Sequence, residues 1–193
     1  MNNNKGRLFI ISAPSGTGKG SVIKNILEKN PELVYSISAT TRRPRAGEKD
    51  GIDYFFVSHK VFEKMISDNE FLEYALYIGE YYGTPKTFIN KNVEKGRDVI
   101  LEVEVQGAKQ VMDAVPNAVS IFISPPDMHE LARRLQGRGT DSDGAQTARL
   151  KRAEQEMEEI DIYDHIVINE SISKAAEDIL NIINNCKNEV TYH

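Results

Sequence analysis

The sequence predicts an α/β fold, a mainly parallel sheet flanked by helices, and three observations carry that expectation. β-Branched apolar runs recur at residues 7–12 (RLFIIS), 98–105 (DVILEVEV), 119–124 (VSIFIS) and 165–169 (HIVIN). Between them lie segments whose apolar residues fall three and four apart, the helical spacing. The junction at 13–21, APSGTGKGS, leads from the first run into a helix through three glycines. Strands that alternate with helices pair in parallel, and strands covered on both faces read as continuous apolar runs.

In chain order, RLFIIS is a short buried strand. The pairs Val22/Ile23 and Ile26/Leu27 set a helix from Gly18 to about Lys29, which Asn30-Pro31 ends. Residues 98–105 give the next core strand, a helix near Gly107–Asp113 follows, and 119–124 returns to the sheet. MHELARRLQ at 128–136 is helical, as is the stretch from about Ala145 to Tyr163. HIVIN is the last strand, and 172–186 the closing helix.

Two segments break the rhythm. Residues 36–84 combine TTRRPRAGEKDGIDYFF, a helical patch near 59–68 and the tyrosine-rich FLEYALYIGEYYG, predicting an inserted α+β subdomain with short antiparallel strands. Residues 137–146, GRGTDSDGAQ, have lid-loop composition, with three glycines among small polar residues. The expected organisation is a core of 1–35, 85–136 and 147–193, an insertion at 36–84 and a lid at 137–146.

Composition narrows the function. A chain of 193 residues suits one domain with excursions. The single cysteine, Cys186, allows no intramolecular disulfide and points to a reducing compartment. The polar start and the lack of any apolar run near ~20 residues predict a cytoplasmic protein with no membrane partner. A net charge of −5 argues against nucleic acid as partner. The arginines, by contrast, crowd together: Arg42, Arg43 and Arg45 in one stretch, and Arg133, Arg134, Arg138, Arg149 and Arg152 in another. A guanidinium fork matches phosphate oxygens, so the clusters favour small phosphate ligands over a merely solvated face. His59, His129, His165 and His193 have no spacing suited to a metal cage. Oligomeric state is not legible.

Residues 13–21 approximate the phosphate-binding loop G-x-x-x-x-G-K-[ST], with Ala13 in place of the first glycine and Gly20 in place of the hydroxyl. Gly16 and Gly18 let the backbone curl so that successive N–H groups converge on phosphate oxygens. Lys19 adds a point charge, and the following helix presents its positive end. The segment Ala13, Pro14, Ser15, Gly16, Thr17, Gly18, Lys19, Gly20 and Ser21 is therefore the candidate triphosphate site. With position 20 lacking a side chain, Ser21 is the candidate hydroxyl toward Mg²⁺, directly or through water.

SAPSGTGKGS, SATTRRPRAGEKDGIDYFF, FLEYALYIGEYYGTP, LEVEVQGAKQV, SIFISPPDMHELARRLQGRGTDS and HIVIN, in that order, resemble guanylate kinase over about residues 8–185. The resemblance implies ATP and GMP as substrates, Mg²⁺ as cofactor, dGMP as a second acceptor, and a core bearing a GMP-binding insertion and a mobile lid. Arg42 and Arg45 flank Arg43-Pro44, where proline prevents a regular helix, and two forks there can clamp one phosphate monoester. The resemblance assigns them the GMP phosphate, with Ser38, Tyr54 and Tyr82 as hydroxyl donors. Core packing is the competing role for either tyrosine.

Glu73 occupies the position that meets guanine, whose N1–H and 2-amino donors suit a carboxylate. Thr84 stands near the base by the same resemblance. Glu102 and Glu104, two apart in a predicted strand, share one face and match acidic positions near guanine and the metal, their division of roles open. Arg134, Arg138 and Arg149 are implied to close over ATP during transfer, and Asn169 to meet the ATP base. Arg133 and Arg152 suit solvent-facing or helical ion-pair roles, Arg152 lying four residues before Glu156. Another nucleoside monophosphate kinase and a catalytically silent protein-binding module are the rival readings. The intact phosphate loop speaks against the second.

Overall fold

Every residue of the first strand, β1 (Leu8–Ser12), is buried, as a continuous apolar run within a sheet requires. The computed structural model describes residues 5–77, 79–136 and 143–188. Those residues group into two units, one of 5–8, 32–101 and 106–118, the other of 9–31, 102–105 and 119–188.

The strands β2 (Val34–Tyr35), β7 (Val99–Glu102), β8 (Val119–Ser124) and β9 (His165–Ile168) join β1 in a five-stranded sheet of order β2-β7-β1-β8-β9. Pairing is parallel between β2 and β7, β1 and β8, and β8 and β9, with Phe9 opposite Val119 and Ile121 opposite His165. The expected mainly parallel α/β sheet is what forms.

In the second of these units, helix α1 (Lys19–Lys29) follows the glycine-rich loop and buries Val22, Ile23 and Ile26. Helices α5 (Met128–Gln136) and α6 (Asp143–Met157) meet through Leu131, Leu135 and Ala153, with Met128 and Leu150 packed against them. Asp127 caps α5 by accepting the Glu130 N–H at 2.7 Å, and Ser171 caps α7 (Ile172–Asn188) by accepting from Lys174 at 3.3 Å. α1 has no such side chain: it starts at Gly18 with no side-chain cap.

The first unit contains a four-stranded sheet, order β4-β3-β6-β5, from β3 (Ala39–Thr40), β4 (Phe55–Phe56), β5 (Phe71–Tyr77) and β6 (Glu80–Pro85). Its core is Ala39, Phe62 and Phe71, with Phe62 stacked on Phe71 at 4.3 Å and on Tyr81 at 5.1 Å. Phe62 comes from α2 (His59–Ser67), which Ser58 caps by accepting the Val61 N–H. Within the described residues, α3 (Lys86–Glu94) and the short β2 are additions that no strong periodicity in the sequence announced.

Three expectations are corrected. The inserted strands are not all antiparallel, because β3 and β4 run parallel: residues 41–54 carry the chain back to the end where β3 began. The strand predicted for 98–105 stops at Glu102, since α4 (Val105–Ala114) starts three residues later. Glu102 and Glu104 therefore do not share a strand face. The helix predicted to reach Tyr163 ends at Met157, followed by a separate 3₁₀ turn at Ile160–Ile162. Acidic residues Glu154, Glu156, Glu158 and Glu159 gather there, where the negative end of the helix dipole opposes them.

Candidate active site

The glycine-rich loop is built as the sequence requires. Gly16 and Gly18 lie at φ 90° and 96°, the left-handed region. A Cβ at Gly16 would also come within 2.5 Å of Leu135 Cδ2, so α5 packs directly under the loop. The Thr17 N–H and hydroxyl both donate to the Pro14 carbonyl, at 3.2 and 2.8 Å. The Thr17 carbonyl accepts from Asn169 Nδ2 at 2.7 Å and from Arg134 Nη1 at 3.2 Å. A trans peptide holds its C=O and N–H in opposite directions, so anchoring that carbonyl aims the Gly18 N–H the other way. No side chain caps the first turn of α1, where the Ser21 and Val22 N–H groups both donate to the Gly18 carbonyl, at 3.0 and 3.1 Å, and the positive end of the helix suits an anion.

Lys19 is 11% exposed and turned onto the end of β7. Its Nζ donates to the Val103 carbonyl at 2.8 Å and lies 3.9 Å from Glu102 and 3.7 Å from Glu104. Although they share no strand face, the two glutamates converge on the same ammonium group. Gly20 has open space beside it, and a Cβ there would meet only Glu102 Oε1, at 4.0 Å. Ser21 is exposed in the first turn of α1.

In the first unit a second group assembles. Arg42 makes a fork with Glu48, Nη1 to Oε2 and Nη2 to Oε1, both 2.9 Å. Its guanidinium lies 5.4 Å from the Tyr54 ring, whose edge meets Tyr82 at 6.1 Å. Glu48 Oε2 also accepts the Arg45 N–H at 2.7 Å, and the Glu48 N–H returns to the Arg45 carbonyl. This is a tight turn with Gly47 at φ 91°, a value only glycine adopts without strain. The Arg42 fork first, and then the Arg45 amide, hold the Glu48 carboxyl below its usual range.

Glu73 sits in β5, 9% exposed, and its Oε1 accepts the Thr84 hydroxyl at 2.6 Å. Burial pushes its carboxyl above the usual range, with the Thr84 bond opposing that shift. Gly107 of α4 makes the room, for a Cβ there would stand 3.0 Å from Glu73 Oε2.

The predicted residues therefore fall into two sets. One holds Ala13 to Ser21, Glu102, Glu104, Arg134, Arg149 and Asn169; the other holds Ser38, Arg42, Arg45, Tyr54, Glu73, Tyr82 and Thr84. Ser38 is half-buried just before β3, Arg45 is exposed, and Arg149 is half-exposed on α6. Arg138 lies outside the described residues. Arg134 is tied to structure in three directions: Nε to Glu130, Nη1 to Thr17 and Nη2 to the Asn169 carbonyl. Asn169 is 2% exposed, and its Oδ1 has no hydrogen-bond partner among the described residues.

Sequence reasoning passed over Glu48, Glu130 and the outward role of Glu156. Glu130 was legible from its spacing three and four residues before Arg133 and Arg134, both of which it binds. The R-A-G-E turn gave a signal for Glu48. Glu156 gave only its helical pairing with Arg152, at 2.8 Å.

A divalent cation finds suitable chemistry near Lys19. Glu102, Glu104 and Ser21 are all oxygen donors, which suit Mg²⁺. Among the described residues no group of three or more His, Cys, Asp or Glu forms a cage. No described helix is long and apolar enough to cross a membrane.

Comparison with known proteins identifies the family of the chain. The guanylate kinase family model matches residues 5–186. Curated guanylate kinases from Clostridioides difficile and Enterococcus faecalis are 46% and 49% identical over 187 and 180 residues, 97% and 93% of this chain and 91% and 88% of theirs. A crystal structure of guanylate kinase from Anaplasma phagocytophilum is 36% identical with a TM-score of 0.76, covering 95% of this chain and 87% of that one. A glycine-rich loop that folds as its sequence foretold, a buried glutamate in the inserted sheet and a match along nearly the whole chain together place this protein in the guanylate kinase family.

Proposed function

We propose that the protein transfers the γ-phosphoryl group of ATP to GMP, giving ADP and GDP, with dGMP as a second acceptor carrying the same base and phosphate. The observation that carries this reading is Glu73. A carboxylate buried in the inserted sheet and oriented by Thr84 is an expensive arrangement without a ligand bearing two N–H donors. Guanine has such a pair and adenine does not.

The phosphate loop, Lys19 and the uncapped start of α1 hold the ATP phosphates. Arg42 and Arg45 clamp the GMP phosphate, with Ser38, Tyr54 and Tyr82 supplying hydroxyls. Glu48 presets the Arg42 fork. Arg134 braces the loop from outside, while Arg138 and Arg149 meet the transferring phosphoryl group. Asn169 Oδ1 offers an acceptor to the exocyclic amine of adenine. Glu102, Glu104 and Ser21 would hold Mg²⁺, which neutralises phosphate charge when bound. The acceptor is already an anionic oxygen, so no general base is required. The protein's task is to align two anions, neutralise them and exclude water.

ADP release measured with GMP, dGMP, AMP, UMP and dTMP tests the assignment. Turnover with the guanine nucleotides alone is expected. Equal turnover with AMP overturns the guanine assignment, and silence with every acceptor overturns the kinase reading in favour of a binding module. Arg138→Ala should lower kcat by about 10³ with GMP KM nearly intact, the scale of an arginine that neutralises a transferring phosphoryl group. Unchanged kcat removes Arg138 from the chemistry.

A further inference from the structure

The transfer reading gives no role to the buried carboxylate that touches the phosphate loop. Glu156 lies in the last turn of α6 and is 7% exposed. Both features are unfavourable by themselves: the helix dipole opposes an anion at that end, and a buried carboxylate must replace its lost water with donors. The donors are specific. Oε2 accepts the Ser15 N–H at 3.3 Å, and Oε1 accepts Arg152 Nε at 2.8 Å. Arg152 Nη2 lies 3.5 Å from Glu104 Oε2, and Glu104 Oε1 lies 3.7 Å from Lys19 Nζ. A chain of alternating charge thus runs from the entry of the loop, along α6, to the lysine at its exit.

We infer that Glu156 is a positioning residue for the ATP phosphates. It commits the Ser15 N–H to the protein, so the amides that cradle phosphate begin after Ser15. Through Arg152 and Glu104 it also sets where Lys19 waits. This rests on the ATP:GMP phosphotransferase reading and adds to it a residue on the helix that follows the lid segment.

The test is kinetic, with ATP and GMP varied separately. Glu156→Gln preserves size but turns an N–H toward one of the two donors. It should raise ATP KM about tenfold, the scale of one hydrogen bond to a charged group, and change GMP KM by less than about twofold. Arg152→Gln alters a side chain 46% exposed and keeps a side-chain N–H donor, and it too should raise ATP KM. The double variant should be no worse than Glu156→Gln, because both act along one chain. A purely structural role predicts a lower Tm with both KM values unchanged, and that result overturns the inference. So does an Arg152→Gln enzyme with wild-type ATP KM, even if Glu156→Gln fails to fold. If the wild-type protein releases no ADP with GMP, the activity reading falls separately. Calorimetry with ATP then decides: about tenfold weaker binding by Glu156→Gln upholds the inference, and equal binding ends it.

Discussion

Glu73 is where burial and the proposed guanine contact meet. Glu73→Gln should raise GMP KM by about 100-fold while ATP KM stays within about twofold, because a charged acceptor for two donors becomes a mixed amide. Steady-state kinetics with each substrate checks this. The pH dependence follows from the raised carboxyl. Its folded value lies above its unfolded value near 4.5, so the charged form destabilises the fold increasingly as pH rises through that region. On the proposed reading guanine binds the charged form. The wild-type advantage over Glu73→Gln in GMP KM should therefore shrink on acidification, starting above the ordinary carboxylate range. An advantage that is flat with pH would mean that Glu73 does not meet the base as an anion. At this scale, legibility depended on how local the signal was. Gly16, Gly18 and Lys19 form a contiguous motif, and Glu73 came through resemblance. Glu156 reaches Ser15 across 141 positions, and no short pattern encodes such a contact.

Among the elements, α5 carries a marked charge device. Arg133 and Arg134 both bind Glu130 and lower its carboxyl to about 2. A depressed acid stabilises the fold above its unfolded value near 4.5 and loses that contribution as pH falls toward 2. Urea unfolding of wild type and Glu130→Gln should thus differ at pH 7 and converge in strong acid. A difference that persists there would assign the effect to packing. In the inserted sheet, Phe62→Ala should cost about 3–5 kcal/mol, since a fully buried ring leaves a cavity between Phe71 and Tyr81. Thermal unfolding followed by circular dichroism measures it. Strands with strong apolar runs were legible from the sequence. β2, with two residues, and β4, paired parallel to β3, were not, because so short a strand is fixed by its neighbours rather than by its own pattern.

For the whole molecule, the division of the chain into two units makes ligand effects separable. Hydrogen exchange with GMP should slow mainly in residues 32–101, and with ATP mainly in 9–31 and 119–136. Each ligand stabilises by mass action, about 2.7 kcal/mol at 100 times its Kd. Protection by GMP confined to the glycine-rich loop would contradict the assignment of the two sets.

α1 begins without a side-chain cap, and on the proposed function the phosphates of ATP would lie against its opening turn. Bound there, the nucleotide would brace that turn. Without it the same end frays sooner, and proteases meet the opened chain more often. The lifetime of the protein under protease should then lengthen as ATP is added.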